Sequence, residues 1–201
     1  MAGILHLETS TSVCSVALSV DGKVVFEKVA GEGLSHAALL GVFAEEATGF
    51  ALSQGVRVDA VAVGGGPGSY TGLRIGTSLA KGLCMGWGVP LIAVPTLKLM
   101  AFGARRRFAD PECLYCAMID ARRMEVYAAI YDAQLTPVRE TQADIVTSDT
   151  YRAFLEQGRV LFFGNGAAKC KAAITSHHAD NAFFMEYRLL AADMTFLAEQ
   201  A

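Results

Sequence analysis

The stretch AVGGGPGSYTGLRIG, residues 62–76, sets three consecutive glycines, a proline and a Gly-Ser pair ahead of a helical run. Glycines let a backbone come close to a phosphate, and the free N–H groups at a following helix N-terminus attract one. Gly66, Gly68 and Ser69 are therefore candidate nucleotide-binding residues. A Walker A loop is excluded. Its pattern needs a lysine that reaches the β and γ phosphates, whereas Gly68 is followed by Ser69 and the nearest basic residue is Arg74. The dinucleotide pattern G-x-G-x-x-G fails too, because Ser69 stands where the third glycine belongs and the strands ahead of it read as a meander, not a βαβ unit. A second glycine turn, FFGNGAAKC at 162–170, makes Gly164 and Gly166 weak candidates of the same kind.

Other chemistries lack their parts. A two-metal nuclease needs several carboxylates around the ions. Glu8 sits at the correct end of the first strand, but the fourth strand offers only Asp59, at its start. A zinc hydrolase wants histidines at helical spacing such as H-x-x-x-H. His36 is followed four residues later by Leu40, His6 lies within a strand, and the adjacent pair His177-His178 points apart. Cys113 and Cys116 form one C-x-x-C, which lacks the other two ligands of a structural zinc site. It stands at a strand entry, where no helix N-terminus would stabilise a thiolate, and reads as structural. No Ser-His-Asp or Cys-His set has a defensible spacing. An actin-like phosphotransferase would use Glu8 in LETSTS and the second-half glycine turn, a thin catalytic set.

The elements that must position these residues follow from periodicity. ILHLETS and VCSVALSV read as strands, and Asp21-Gly22 is a two-residue hairpin signal leading into a third strand, KVVFEKVA. Ser35 reads as the cap of a helix over 35–47, with Leu39, Leu40 and Phe43 on its apolar stripe. VDAVAVGGG is a short, continuously apolar strand of the kind buried centrally, followed by a helix over 71–86, the strand PLIAVPT and a third helix from about Leu97. The order βββαβαβα predicts a mixed five-stranded sheet flanked by helices, the RNase H-like layout. LYCAMIDARRMEVYAAIYD repeats the opening plan with Asp120 in place of Glu8, so the chain reads as a degenerate duplication. TPVRE, SDTYRAFLEQG and RVLFF continue it as strand, helix and strand. The expected lobes are 1–106 and 107–201, the final helix packing back on the first.

In the second helix Gly72, Gly76 and Ala80 recur every four residues. Glycine inside a helix costs about 1 kcal/mol against alanine, so such a stripe implies a closely approaching backbone, either the chain's own first helix or a helix of another chain. Composition favours a partner: 53% of the 201 residues are hydrophobic and only 18% charged. With net charge −3 and a pI near 5.8, unaided nucleic-acid binding is not indicated. The run Arg105-Arg106-Arg107 reads as a solvated helix end. No apolar run approaches a membrane span, the first lysine, Lys23, comes too late for a basic leader, and five cysteines fit reduced thiols in a cytoplasm.

Taken together, ILHLETSTSVCSVAL, VGGGPGSYTGLRIG, GVPLIAVPTL, IDARRMEVYAAIYD and GNGAAK resemble the TsaB (YeaZ) family of tRNA threonylcarbamoyladenosine biosynthesis, in order and over almost the whole chain. The blocks at 66–74 and 120–127 are the specific ones. The resemblance implies an α/β, two-lobed ASKHA (actin-like ATPase, RNase H-like) fold and a scaffold subunit without catalytic residues, metal or cofactor of its own. Its implied partners are a catalytic TsaD paralogue, which carries the metal and nucleotide, and TsaE, a P-loop ATPase. Transfer to adenosine 37 of ANN-decoding tRNAs would then reach tRNA only through the complex, and an isolated chain would homodimerise through the same helices. The implied interface comprises His36, Leu39, Leu40, Phe43, Tyr70, Gly72, Leu73, Arg74, Gly76, Thr77 and Ala80. Family members continue past the last helix, here MTFLAEQA, into a Pro-Tyr-Leu tail. An active small-molecule kinase of the same fold is the alternative reading, and a metallopeptidase is opposed by the missing histidines.

Overall fold

The computed structural model describes residues 2–31 and 36–201. The expected cap Ser35 lies outside the described residues. Two compact units result, Met1–Thr96 with Leu189–Ala201, and Leu97–Arg188.

The first unit opens with the meander β1 (Gly3–Glu8), β2 (Cys14–Val20) and β3 (Lys23–Ala30). Asp21 and Gly22 both adopt positive φ, 46° and 74°, as a tight hairpin requires. The helix α1 (His36–Ser53), the strand β4 (Ala60–Gly64), the helix α2 (Tyr70–Trp87) and the strand β5 (Leu91–Val94) complete a sheet in the order β3-β2-β1-β4-β5. Only β1–β4 and β4–β5 pair in parallel. On one face Leu5, Leu7, Val16, Val61 and Val63 meet Leu40, Ala44 and Ala47 of α1 and Ala80 of α2 in a common core. The other face carries His6, Glu8, Ser15 and Ser19, all buried. The returning C-terminal segment joins that face, where the Ala191 N–H donates to Ser15 Oγ at 2.9 Å.

The second unit begins within α3 (Thr96–Phe108) and repeats the plan. The strands β6 (Leu114–Asp120), β7 (Glu125–Tyr131) and β8 (Pro137–Ile145) form its meander. The helix α4 (Arg152–Gln157), β9 (Val160–Phe163), α5 (Ala167–His178) and β10 (Ala182–Met185) follow. The sheet order β8-β7-β6-β9-β10 matches the first sheet strand for strand. The fold is the ASKHA-type α/β arrangement of two similar lobes that the sequence predicts.

Two expectations shift. The units part after Thr96, not after residue 106. Leu97, Leu99, Met100 and Ala104 of α3 are buried, and a Cβ on Gly103 would collide with the Tyr187 hydroxyl, so this helix packs with the second lobe. Residues 189–201, ending in α6 (Thr195–Glu199), belong to the first. The first helix also runs on to Ser53 instead of stopping at 47, because Ala51 reaches the core. All five cysteines are free thiols, with Cys113 and Cys116 buried.

Candidate functional site

The glycine loop is fitted to the turn that follows β1. Glu8 is fully buried at the end of that strand, and a Cβ on Gly64 would lie 2.6 Å from Glu8 Oε2. Ser10 lies beneath Gly68, whose Cβ would come within 2.5 Å of the Ser10 carbonyl oxygen. Thr9 lies across α2. A Cβ on Gly72 would collide with the Thr9 carbonyl oxygen, and one on Gly76 with Thr9 Oγ1. Thr9 Oγ1 donates to the Gly72 carbonyl at 2.8 Å. Four glycines thus clear space for three consecutive residues, Glu8, Thr9 and Ser10.

This corrects two sequence expectations. The stripe Gly72, Gly76 and Ala80 is buried against the chain's own strand turn and core, so it offers no face to another molecule. Leu40, 1% exposed, is likewise core. Two of the loop donors proposed for a phosphate are engaged internally. The Gly66 N–H donates to Thr96 Oγ1 at 3.0 Å and the Ser69 N–H to the Ser10 carbonyl at 2.7 Å. Ser69 Oγ accepts the Gly72 N–H at 3.2 Å, capping α2. In the second lobe, Gly164 (φ 99°) lies so close to β6 that a Cβ would strike the Met118 carbonyl. A Cβ on Gly166 would come within 3.0 Å of the Ile119 carbonyl carbon. These two glycines serve close packing of α5 and its loop on the sheet.

The strand-end carboxylates differ. Glu8 Oε1 accepts the Ser10 N–H at 2.6 Å and also the Ser10 hydroxyl, while Oε2 has no hydrogen-bond partner among the described residues. Burial pushes the Glu8 carboxyl up to about 7, against the lowering effect of the Ser10 bonds. Asp120 is exposed and pairs with Lys169, whose ammonium also donates to the Glu125 carbonyl at 2.7 Å. Partial burial alone would raise Asp120, but the Lys169 ammonium and the Arg122 N–H hold it below the usual carboxylate range.

What remains accessible is the outer side of α1 and α2. Tyr70 is 73% exposed and Met85 86%. The Arg74 guanidinium lies 5.4 Å from the Tyr70 ring centre and donates to its hydroxyl at 3.1 Å. Tyr70, Leu73, Arg74 and Thr77, all expected at the interface, line with Ser78 and Lys81 a shallow groove of about 320 Å³. Leu39 and Phe43 are half-buried against the core. His36 Nε2 lies 2.9 Å from the Thr11 carbonyl, tying α1 to the β1–β2 turn. Sequence reasoning missed Thr9 and Ser10. Their signal was the match between E-T-S and glycines spaced at 64, 68, 72 and 76.

A family model described as "TsaD: tRNA N6-adenosine threonylcarbamoyltransferase" matches residues 33–200. The chain belongs to this family. Relatives and structure place it with the TsaB (YeaZ) members. The "tRNA threonylcarbamoyladenosine biosynthesis protein TsaB" of Escherichia coli K12 is 42% identical over 130 residues, 64% of this chain and 54% of that protein. The TsaB of Haemophilus influenzae is 37% identical over 126 residues, 62% of this chain and 51% of that protein. The chain thus spans about half the length of these curated relatives. A Pseudomonas aeruginosa crystal structure, of a protein described as similar to peptidase YeaZ, superposes with a TM-score of 0.83 at 26% identity. The match covers 100% of this chain and 92% of that one.

The metal implied for the TsaD paralogue does not fit the residues at the start of α1 in this chain. His36 is turned to a carbonyl, its i+4 neighbour is the core residue Leu40, and the Gly66 and Ser69 N–H groups are engaged with Thr96 and Ser10. Among the described residues no three His, Cys, Asp or Glu side chains gather as metal ligands, and no helix is long and apolar enough to cross a membrane.

Proposed function

We propose that this chain is a non-catalytic subunit that binds and activates a TsaD-like paralogue for threonylcarbamoyl transfer to adenosine 37 of ANN-decoding tRNAs. The match to TsaB proteins named for threonylcarbamoyladenosine biosynthesis carries this reading. The family model named for the transferase supports a paralogous partner of the same build. The metal and nucleotide would belong to the partners, a TsaD-like subunit and a TsaE-like P-loop ATPase, in the cytoplasm. In this reading the docking surface is the outer side of α1 and α2, where Val42, Tyr70, Met85 and Trp87 leave apolar area in water. In the absence of the paralogue, a second copy would occupy the same helices.

Co-purification with the TsaD-like protein of the same organism, read by light scattering, tests the proposal. The wild-type chain is expected to form a stable heterodimer. Tyr70→Ala with Arg74→Glu should weaken it tenfold or more, about 1.4 kcal/mol, without loss of fold, because both side chains point outward. A folded wild-type chain that gives no heterodimer would refute the scaffold reading. Unchanged affinity of the double variant would move the interface off α2.

A further inference from the structure

The run Arg105-Arg106-Arg107 ends α3. Its simplest role is to complement a helix C-terminus, but the surroundings go further. A cleft of about 490 Å³ opens beside it, bordered by Arg105, Arg106, Asp110, Tyr115 and Gln134 among others. The acidic groups at its rim are already matched. Arg159 ion-pairs with Asp110 at 3.1 Å and with Glu112 at 3.0 Å. Arg105 and Arg106, both exposed, have no carboxylate within ion-pair distance among the described residues.

The neighbouring guanidiniums are braced against aromatic rings. Arg106 lies 5.7 Å from the centre of the Phe102 ring, and Arg107 4.6 Å from that of Tyr187. The cleft wall is fixed as well, because the Tyr115 hydroxyl donates to the Asp110 carbonyl at 2.9 Å. Arg159 is matched by Asp110 and Glu112, so Arg105 and Arg106 leave positive charge at the cleft, on a chain whose net charge is −3. Planar guanidiniums with free N–H forks match phosphate oxygens.

We infer that Arg105 and Arg106 form a contact for the phosphate backbone of the tRNA substrate. The inference rests on the proposed place of this chain in the tRNA-modifying complex and adds to it a direct RNA contact. Contacts of this kind carry no sequence information. They strengthen binding uniformly and make it salt-dependent.

The test uses the complex of this chain with its TsaD-like partner, whose assembly is first checked by light scattering. An unmodified ANN-decoding tRNA transcript is then titrated by fluorescence anisotropy from 50 to 200 mM KCl. R105Q/R106Q should weaken binding about fivefold or more at the lowest salt. It should also lower the slope of log K against log salt by roughly 1 to 2, since each phosphate contact contributes about 0.9. R105K/R106K, which keeps the charge but loses the planar fork, should keep the wild-type salt slope and lose less affinity than the glutamine pair, and circular dichroism reports whether each variant is folded. Should the glutamine pair fail to fold, the single variants R105Q and R106Q replace it.

Equal affinity and equal slope in wild type and folded glutamine variants would overturn the inference. Loss of ATP binding with tRNA binding unchanged would also overturn it, in favour of a free nucleotide. If the wild-type chain fails to assemble with the partner, the scaffold reading falls. The same titration on the chain alone then decides the arginine contact by the same two criteria.

Discussion

Gly72→Ala is expected to destabilise the first lobe by about 3 kcal/mol, the upper part of the usual range for forcing atoms into a packed interior. The added methyl meets the Thr9 carbonyl oxygen, which belongs to backbone and cannot rotate away. Nor can the turn slide, because Thr9 Oγ1 is bonded to the Gly72 carbonyl at 2.8 Å and the Ser10 carbonyl accepts the Ser69 N–H at 2.7 Å. Gly76→Ala meets the Thr9 hydroxyl instead. Thr9→Ala should therefore rescue Gly76→Ala by about 1 kcal/mol or more in a double-mutant cycle, and leave Gly72→Ala unrescued. Gly82 lies on the same helix with nothing within 4 Å of its Cβ position. Gly82→Ala should gain about 0.5–1 kcal/mol from helix propensity alone. Urea denaturation of the four single variants and the two double variants checks the set. If Gly72→Ala came out within 0.5 kcal/mol of wild type, the turn would not be seated as described.

The same contact explains how far the sequence could be read. Strand alternation, the Asp-Gly hairpin and the apolar run of β4 are local signals, and they give the order of elements and the duplication correctly. The four-residue repeat of Gly72, Gly76 and Ala80 is local too, and it correctly demands a close backbone. It cannot name that backbone. The partner, Thr9, lies 63 residues before Gly72, and no periodicity connects them. Assigning the stripe to another molecule was therefore wrong, while the outward residues of the same helix, Tyr70 and Arg74, did prove accessible. The lobe boundary failed for a related reason. GARRRFADP is polar and resembles a linker, but its arginines form the last turn of a helix whose buried stripe, Leu97 to Ala104, lies upstream. Helix α1 extends past the expected end because tertiary burial of Ala51 outweighs the poor propensity of Thr48 and Gly49. The strand β10, AFFM, has four residues and no turn signal to announce it.

The buried pair of titratable groups on β1 sets opposite pH dependences. Burial raises Glu8 from 4.5 to about 7 and lowers His6 from 6.5 to about 4. The folded state therefore holds the Glu8 proton more tightly than the unfolded chain. Its stabilising effect is complete below pH 4.5 and is lost as pH rises through about 7. For His6 the unfolded chain binds the proton more tightly, so stability is complete above pH 6.5 and is lost as pH falls through about 4. Each shift corresponds to about 3 kcal/mol at 1.36 kcal/mol per unit. Between pH 4.5 and 6.5 the two slopes oppose each other, and the wild-type contribution of this pair should be nearly flat. Glu8→Gln removes one arm. Its stability, relative to wild type, should fall by up to about 3 kcal/mol as pH drops from 7 to 4. His6→Gln removes the other arm and should lose stability as pH rises from 4.5 to 7. Asp193, whose charge also raises the Glu8 carboxyl, is present in all three proteins. The measurement is urea denaturation at half-unit pH steps. Parallel curves for wild type and both variants would show that neither group titrates with folding. Glu8 Oε2 and His6 Nδ1, which have no hydrogen-bond partner among the described residues, would then have to be solvated by internal water, which would cancel the desolvation on which both shifts depend.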